Sequence, residues 1–173
     1  MIKKIMAAAL VVFALAPLAA CGDNDDDKVS PDKELKQALA SRYPSMKVEK
    51  WEKKKNWSVA EGRIDGVSAD VWFDVSNQWA MTEYDYDRDL TKLPQPVANA
   101  IATGDFRDWT VDDIEYFERR SESFYRVEVE TPGQPDVYLM YMPDGSLRGT
   151  TAVDVDVYPD FELPHQVLPP SGN

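Results

Sequence analysis

The feature that most narrows the possible folds is a two-residue rhythm that recurs along the chain. Val71, Phe73 and Val75 alternate with Asp70, Trp72 and Asp74, so one side of that stretch is apolar and the other mixed. Tyr125, Val127 and Val129 alternate through the run from Phe124 to Glu130, and the pattern returns from Asp136 to Met142. A period of two describes a strand with one buried face. Turn residues separate these runs: Asp65-Gly66, Ser76-Asn77-Gln78, Thr131-Pro132-Gly133-Gln134 and Pro143-Asp144-Gly145-Ser146. Connections this short join antiparallel neighbours, so hairpins are expected.

Two helices interrupt the strands. Ser30-Pro31-Asp32 reads as an N-cap with proline at the first helical position, and Leu35, Ala38 and Leu39 follow at helical spacing. Tyr43 lies one turn on and Pro44 ends the element, giving a helix over 31–42. Leu93-Pro94-Gln95-Pro96-Val97 opens the second, which carries Ile101 on its apolar side and stops at Gly104. Strands are also expected at Met46 and Val48, from Trp57 and Val59, over Trp79–Tyr86, from Trp109 through Ile114, and over Leu147–Val157.

Each half thus reads helix, strand, hairpin, strand. Leu39 corresponds to Ile101, Val48-x-x-Trp51 to Val111-x-x-Ile114, and Asp70-Val71-Trp72-Phe73 to Asp136-Val137-Tyr138-Leu139, at offsets of 62 to 66 residues. That spacing implies an internal duplication, each unit too small for a large core. The expected fold is α+β: two tandem repeats, 30–89 and 90–157, each a short helix packed on an antiparallel sheet of about four strands. A Pro-rich tail, 158–173, follows; its Leu163-Pro164-His165-Gln166-Val167 repeats the Leu-Pro-x-x-Val opening and reads as a truncated third helix start, with His165 at the surface.

The N-terminus gives an address. Lys3 and Lys4 precede an uncharged apolar run, Ile5 to Ala20, which is too short for a membrane helix and suits a secretory signal. Leu18-Ala19-Ala20-Cys21 closes it and resembles a bacterial lipobox, with cleavage before Cys21 and lipid attachment to that sulfur. Residues 1–20 are then a lipoprotein signal peptide, and the acidic stretch 21–29 a tether. Fully extended, the eight residues from Gly22 to Val29 reach roughly 27 Å, enough to clear headgroups. Aspartates directly after the cysteine resemble sorting signals of Gram-negative lipoproteins, so a cell-envelope location is expected, at the outer membrane and either periplasmic or surface-exposed. The competing reading of this stretch is a calcium loop with Asp23, Asp25, Asp27 and Glu34 at positions 1, 3, 5 and 12, but Lys28 stands where such a loop needs glycine.

Composition removes several classes of function. The formal charge is −12, and loss of Lys3 and Lys4 with the signal makes it −14 (17 Lys+Arg against 31 Asp+Glu), which disfavours nucleic acid. Lys50, Lys53, Lys54 and Lys55 with Trp51 and Trp57 accordingly read as a solvated strand end rather than a nucleic-acid patch. With Cys21 lipidated there is no thiol for a disulfide, a metal or a nucleophile, and one histidine cannot make a multi-histidine site. No Gly-x-Ser-x-Gly, phosphate loop, Gly-x-Gly-x-x-Gly or His-Glu-x-x-His is present. Abundant acids without a pattern look like a solvated surface, not a glycosidase pair. No catalytic residue and no cofactor are expected.

The Leu93-Pro94-x-x-Val97 helix start, the alternating strands and Pro143-Asp144-Gly145-Ser146-Leu147 resemble PepSY-like domains, the small repeats described as similar to β-lactamase-inhibitor protein. The resemblance covers roughly residues 31 to 157. The first half departs from it: Asn77-Gln78 replaces the Asp-Gly turn, and its helix lacks the Leu-Pro opening. The resemblance implies an antiparallel sheet with helices on one face, no catalytic residues, and binding of a protein or peptide, with inhibition as one form of it.

Alternation supplies candidate binding residues. If Val71, Phe73, Val75 and Val137, Leu139, Tyr141 face the helices, then Trp72, Tyr138, Met140 and Met142 line the opposite face. Either the repeats or the tail cover that face, or it binds a partner, for which aromatics and methionine are suited. The second functional reading is a small-ligand or cation (calcium) binder built on Asp85, Asp87 and Asp89, or on Asp154 and Asp156.

Overall fold

A computed structural model describes residues 30–152 and 154–164. The tether acids Asp23, Asp25 and Asp27, Cys21 and His165 lie outside the described residues. The chain runs α1 (Lys33–Arg42), β1 (Lys47–Lys54), β2 (Trp57–Ile64), β3 (Val67–Phe73), β4 (Trp79–Asp85), a 3₁₀ turn (Leu90–Lys92), α2 (Gln95–Thr103), β5 (Thr110–Arg119), β6 (Ser123–Glu130), β7 (Val137–Tyr141) and β8 (Leu147–Thr151).

All eight strands form one antiparallel sheet in chain order, β1 to β8. This corrects the expectation of two repeats, each with its own four-stranded sheet. β4 pairs with β5 from Met81↔Arg119 to Asp85↔Glu115, so the two halves share one ladder. Separate sheets would leave the facing edges of β4 and β5 with unpaired N–H and C=O groups, and pairing removes both edges at once.

The turns form as their residues demand. Asp65 and Gly66 both have positive φ, 51° and 90°, the geometry of a tight hairpin turn that Asp-Gly favours. Gly145 has φ +87°, and a Cβ there would lie 2.6 Å from the Pro96 carbonyl oxygen, so the β7–β8 turn seats against the start of α2 only as glycine.

Both helices lie on one side of the sheet. Leu35 and Leu39 of α1 pack with Ala60, Ile64, Ala69, Val71 and Phe73, while Val97 and Ile101 of α2 pack with Ile114, Tyr125, Val127, Val129, Leu139 and Tyr141. Between the two clusters Tyr84, Tyr86 and Tyr116 stand with near-parallel rings 5.9–6.4 Å apart.

Three local expectations need correction. α1 is capped by Asp32, whose carboxylate accepts the Leu35 N–H at 2.7 Å, and begins at Lys33 rather than behind Ser30. A carboxylate reaches the third amide of the turn and also favours the positive end of the helix dipole. Val75 does not face the helices: β3 ends at Phe73, and Val75 is 77% exposed in the following turn, where Asp74 accepts the Ser76 and Gln78 N–H groups. The last strand ends at Thr151, not Val157; the chain beyond it leaves the sheet edge and crosses the face opposite the helices.

Candidate functional site

The side of the sheet away from the helices is built from alternate residues of every strand, and it divides into two bands. The apolar band consists of Val59, Trp72, Met81, Phe117, Phe124 and Met140, in one cluster with Val157 and Leu163 from the C-terminal segment. Register brings them together: Val59 faces Trp72, Trp72 faces Met81, and Phe117 faces Phe124 with rings stacked 4.9 Å apart.

Residues 154–164 lie over this band as a strap. Val157 and Leu163 are buried, and Val155, Tyr158 and Phe161 are partly so. The strap adds no strand; a turn closed by the Phe161 N–H on the Tyr158 carbonyl at 2.9 Å folds it back on itself. Two arginines hold its backbone. Arg126 donates to the Val155 carbonyl at 2.6 Å and pairs with Asp154 at 2.7 Å, and Arg119 donates to the Phe161 carbonyl. Tyr158 meets Trp72 edge to face at 5.7 Å, and the Lys55 ammonium sits 3.6 Å from the centre of the Tyr158 ring.

Two donors beneath the strap are idle. Trp72 Nε1 and Arg119 Nε are buried with no hydrogen-bond partner among the described residues. An unsatisfied buried donor costs about 1–3 kcal/mol. Trp72 is 4% exposed and Arg119 8%, so neither finds that partner at the protein surface.

The charged band runs beside the apolar one. Lys50 faces Glu61, Glu61 faces Asp70, and Asp70 faces Glu83, which sets three carboxylates side by side on neighbouring strands. Like charges directly opposite one another are unfavourable, so their protons and counter-charges must adjust. Lys54 answers part of the charge, 3.3 Å from both Asp70 and Glu61, and Lys50 lies 3.0 Å from Glu61. The Glu52 carboxyl is held below its ordinary value by Glu61 and Lys50 beside it, whereas Glu61 is raised, first by burial and then by the neighbouring Glu52. Glu83 makes no ion pair or hydrogen bond among the described residues; burial first, then the charges of Glu115 and Asp70, push it up to about 8. Asp113 is pushed up to about 6 by burial and by Glu115. Arg126 binds Glu115 through two nitrogens and joins this band to the strap.

The four residues expected on this face are placed as follows. Trp72 and Met140 are buried under the strap; Tyr138 and Met142 are half-buried. Tyr138 donates to Glu128 at 3.1 Å. Of the candidate lysines, Lys50 and Lys54 are ion-paired on β1, Lys53 donates to the Asn56 carbonyl and the Ser58 hydroxyl, and Lys55, just past the strand, rests on the strap. The aspartates of the cation reading serve turns and the strap: Asp85 accepts the Asp87 N–H at 2.8 Å, Asp89 accepts from Thr91, and Asp154 holds Arg126. Among the described residues no three His, Cys, Asp or Glu side chains gather to hold a metal ion. The sequence reading missed the carboxylate row and the two arginines. Their alternation was visible, as in Glu115-x-Phe117-x-Arg119 and Phe124-x-Arg126-x-Glu128, but their proximity depends on strand register.

A family model described as "Putative beta-lactamase-inhibitor-like, PepSY-like" matches residues 58–149. The chain belongs to the PepSY-like family. Solved structures share its architecture: a BLIP-like protein from Bacteroides fragilis has 28% identity and a TM-score of 0.70, over 79% of this chain and 97% of its own. A DUF2874 family protein from Bacteroides ovatus has 26% identity and a TM-score of 0.66, over 71% and 88%. A protein from Bacteroides eggerthii described as "putative periplasmic" has the same fold at 22% identity and a TM-score of 0.64, over 71% and 89%. No curated protein matches the chain.

Proposed function

We propose that this PepSY-like protein is a non-enzymatic, lipid-anchored protein of the bacterial cell envelope that binds a protein or peptide through the sheet face opposite its helices. The observation that carries the reading is the carboxylate row Glu61–Asp70–Glu83. It lies half-buried across three strands, and Glu83 has no counter-charge in direct contact. A basic residue on a partner would supply that charge and draw the proton from Glu83. Tyr138, half-buried farther along the same face beside Glu128, supplies adaptable contact area, and Met142 packs against the apolar cluster. The family's inhibitor-like description supports binding rather than catalysis. The Leu18-Ala19-Ala20-Cys21 motif supports the anchor, with the outer membrane as the membrane concerned.

A photo-crosslinking residue at Tyr138 on intact cells tests the partner, with one at exposed Asn99 of α2 as the control. A discrete adduct from position 138 and none from 99 is expected; adducts from 99 alone would place binding on the helix side. Cys21→Ser tests the anchor. The variant should leave the membrane fraction, and retention there would remove the lipid.

A further inference from the structure

The strap is held to the apolar band without completing it. Two apolar arms, around Val157 and around Leu163, fill the band on either side of the Tyr158–Phe161 turn. The strap offers carbonyls to Arg126 and Arg119, yet leaves the indole N–H of Trp72 and the Nε–H of Arg119 without acceptors. Those two donors stand on the same row of the sheet, Trp72 facing Met81 and Met81 facing Arg119. They therefore define a line of donors under the strap, flanked by apolar side chains. A chain segment completing such a site would carry apolar side chains spaced as in the strap and bring two more carbonyl oxygens onto that line. A second copy's strap would not serve, because it repeats the same omission.

We infer that the apolar band is a groove for a segment of a partner protein, and that residues 154–164 are its resident occupant, displaced when the partner binds. The segment is apolar, with aliphatic and aromatic side chains, and its backbone carbonyls accept from Trp72 Nε1 and Arg119 Nε. This rests on the partner-binding reading above and gives that partner a second point of attachment beside the charged band. Displacement is feasible because the strap shares no ladder with β8 or any other strand: its release breaks side-chain contacts and arginine bonds, and the sheet keeps its pairing. Exposed Phe117, Phe124 and Met140 would otherwise make a large apolar patch, which explains why the groove stays covered until it is used.

The test uses the full chain and a fluorescein-labelled peptide with the sequence of residues 154–164. Val157→Ser with Leu163→Ser loosens the strap. The double variant should bind the peptide at least tenfold more tightly than the native chain, because the peptide no longer competes with an intact tethered copy. Equal affinity in the two proteins, or no saturable binding by a double variant that circular dichroism shows folded, overturns the groove. If the double variant does not fold, deuterium uptake by the native chain decides: excess peptide must speed exchange in 154–164 and leave β3 to β7 protected, and unchanged uptake overturns displacement. The donor line is tested with peptides selected from a random eleven-residue library on the double variant. Trp72→Phe should weaken them at least fivefold and change the 154–164 peptide less than twofold; indifference of the selected peptides overturns the assignment of the donors. Charge reversal at Glu61 and Asp70 bears only on the charged band, so peptide binding that survives it while the cellular crosslink is lost separates the two readings.

Discussion

Asp70 and Trp72 stand two residues apart on β3 and point to the same side of the sheet, yet the indole is 4% exposed and the carboxylate side chain 25%. The difference comes from what lies across them. Trp72 has apolar neighbours on both sides and a strap overhead, so its stability comes from area removed from water. Asp70 has carboxylates on both sides and is balanced by Lys54 from the edge strand. One face thus contains a dry half, whose unmet need is for hydrogen-bond acceptors, and a wet half, whose unmet need is for positive charge. A partner able to meet both would present a basic residue next to an apolar segment.

The sharpest way to break the dry half is Phe117→Ala. Phe117 is fully buried and stacked on Phe124, so truncation should cost about 3–5 kcal/mol, read as a lowered thermal midpoint by calorimetry. Arg126, which belongs to both halves, comes next. Arg126→Met leaves Glu115 without its partner and the strap without the Val155 bond, for a loss of about 3 kcal/mol in urea unfolding. Adding Glu115→Leu to Arg126→Met should recover a substantial part of it, since the uncompensated charge goes with the carboxylate. Leu163→Ala touches only the strap and should cost about 2 kcal/mol, with dye binding to the uncovered band as the sign that the loss is local. Equal costs at Phe117 and Leu163 would mean that strap and sheet unfold as one unit.

How much of this was readable from the residues depends on whether the information is local. The Asp65-Gly66 turn was readable because the turn's dihedrals are a property of those two residues. The α2 opening was readable because Pro96 fits the first turn of a helix and Gly104 marks its end. The join of β4 to β5 was not, because Asp85 and Thr110 are separated by a 3₁₀ turn and a helix, and nothing in either strand names its neighbour. The strap misled for a physical reason. Val155 and Val157 alternate with Asp154 and Asp156 as in a strand, but the same period arises when an extended chain lies on a sheet face instead of along its edge. The carboxylate row Glu61, Asp70, Glu83 was hidden likewise, since one residue of register shift would turn each acid to the other face.

The smallest effect tests the wet half, and its sign is unusual for a carboxylate. Glu83 has an ordinary value of 4.5 and in the fold is pushed up to about 8, chiefly by burial and then by Glu115 and Asp70. Between those limits the folded protein holds a proton that the unfolded chain has released. Stability from this group is therefore complete below 4.5 and is lost as pH rises toward 8. Glu83→Gln keeps the shape and removes the titration, so the variant should equal the native chain near pH 4.5 and exceed it at pH 8 by about 1 kcal/mol, the scale of relieving one poorly solvated polar group. Asp113, raised from 3.8 to about 6, still titrates in the variant. The slope of thermal midpoint against pH should then flatten between 6 and 8 while persisting below 6. A slope unchanged above pH 6 would mean that Glu83 is solvated or paired, and the row would lose the unmatched carboxylate on which its affinity for a basic partner depends.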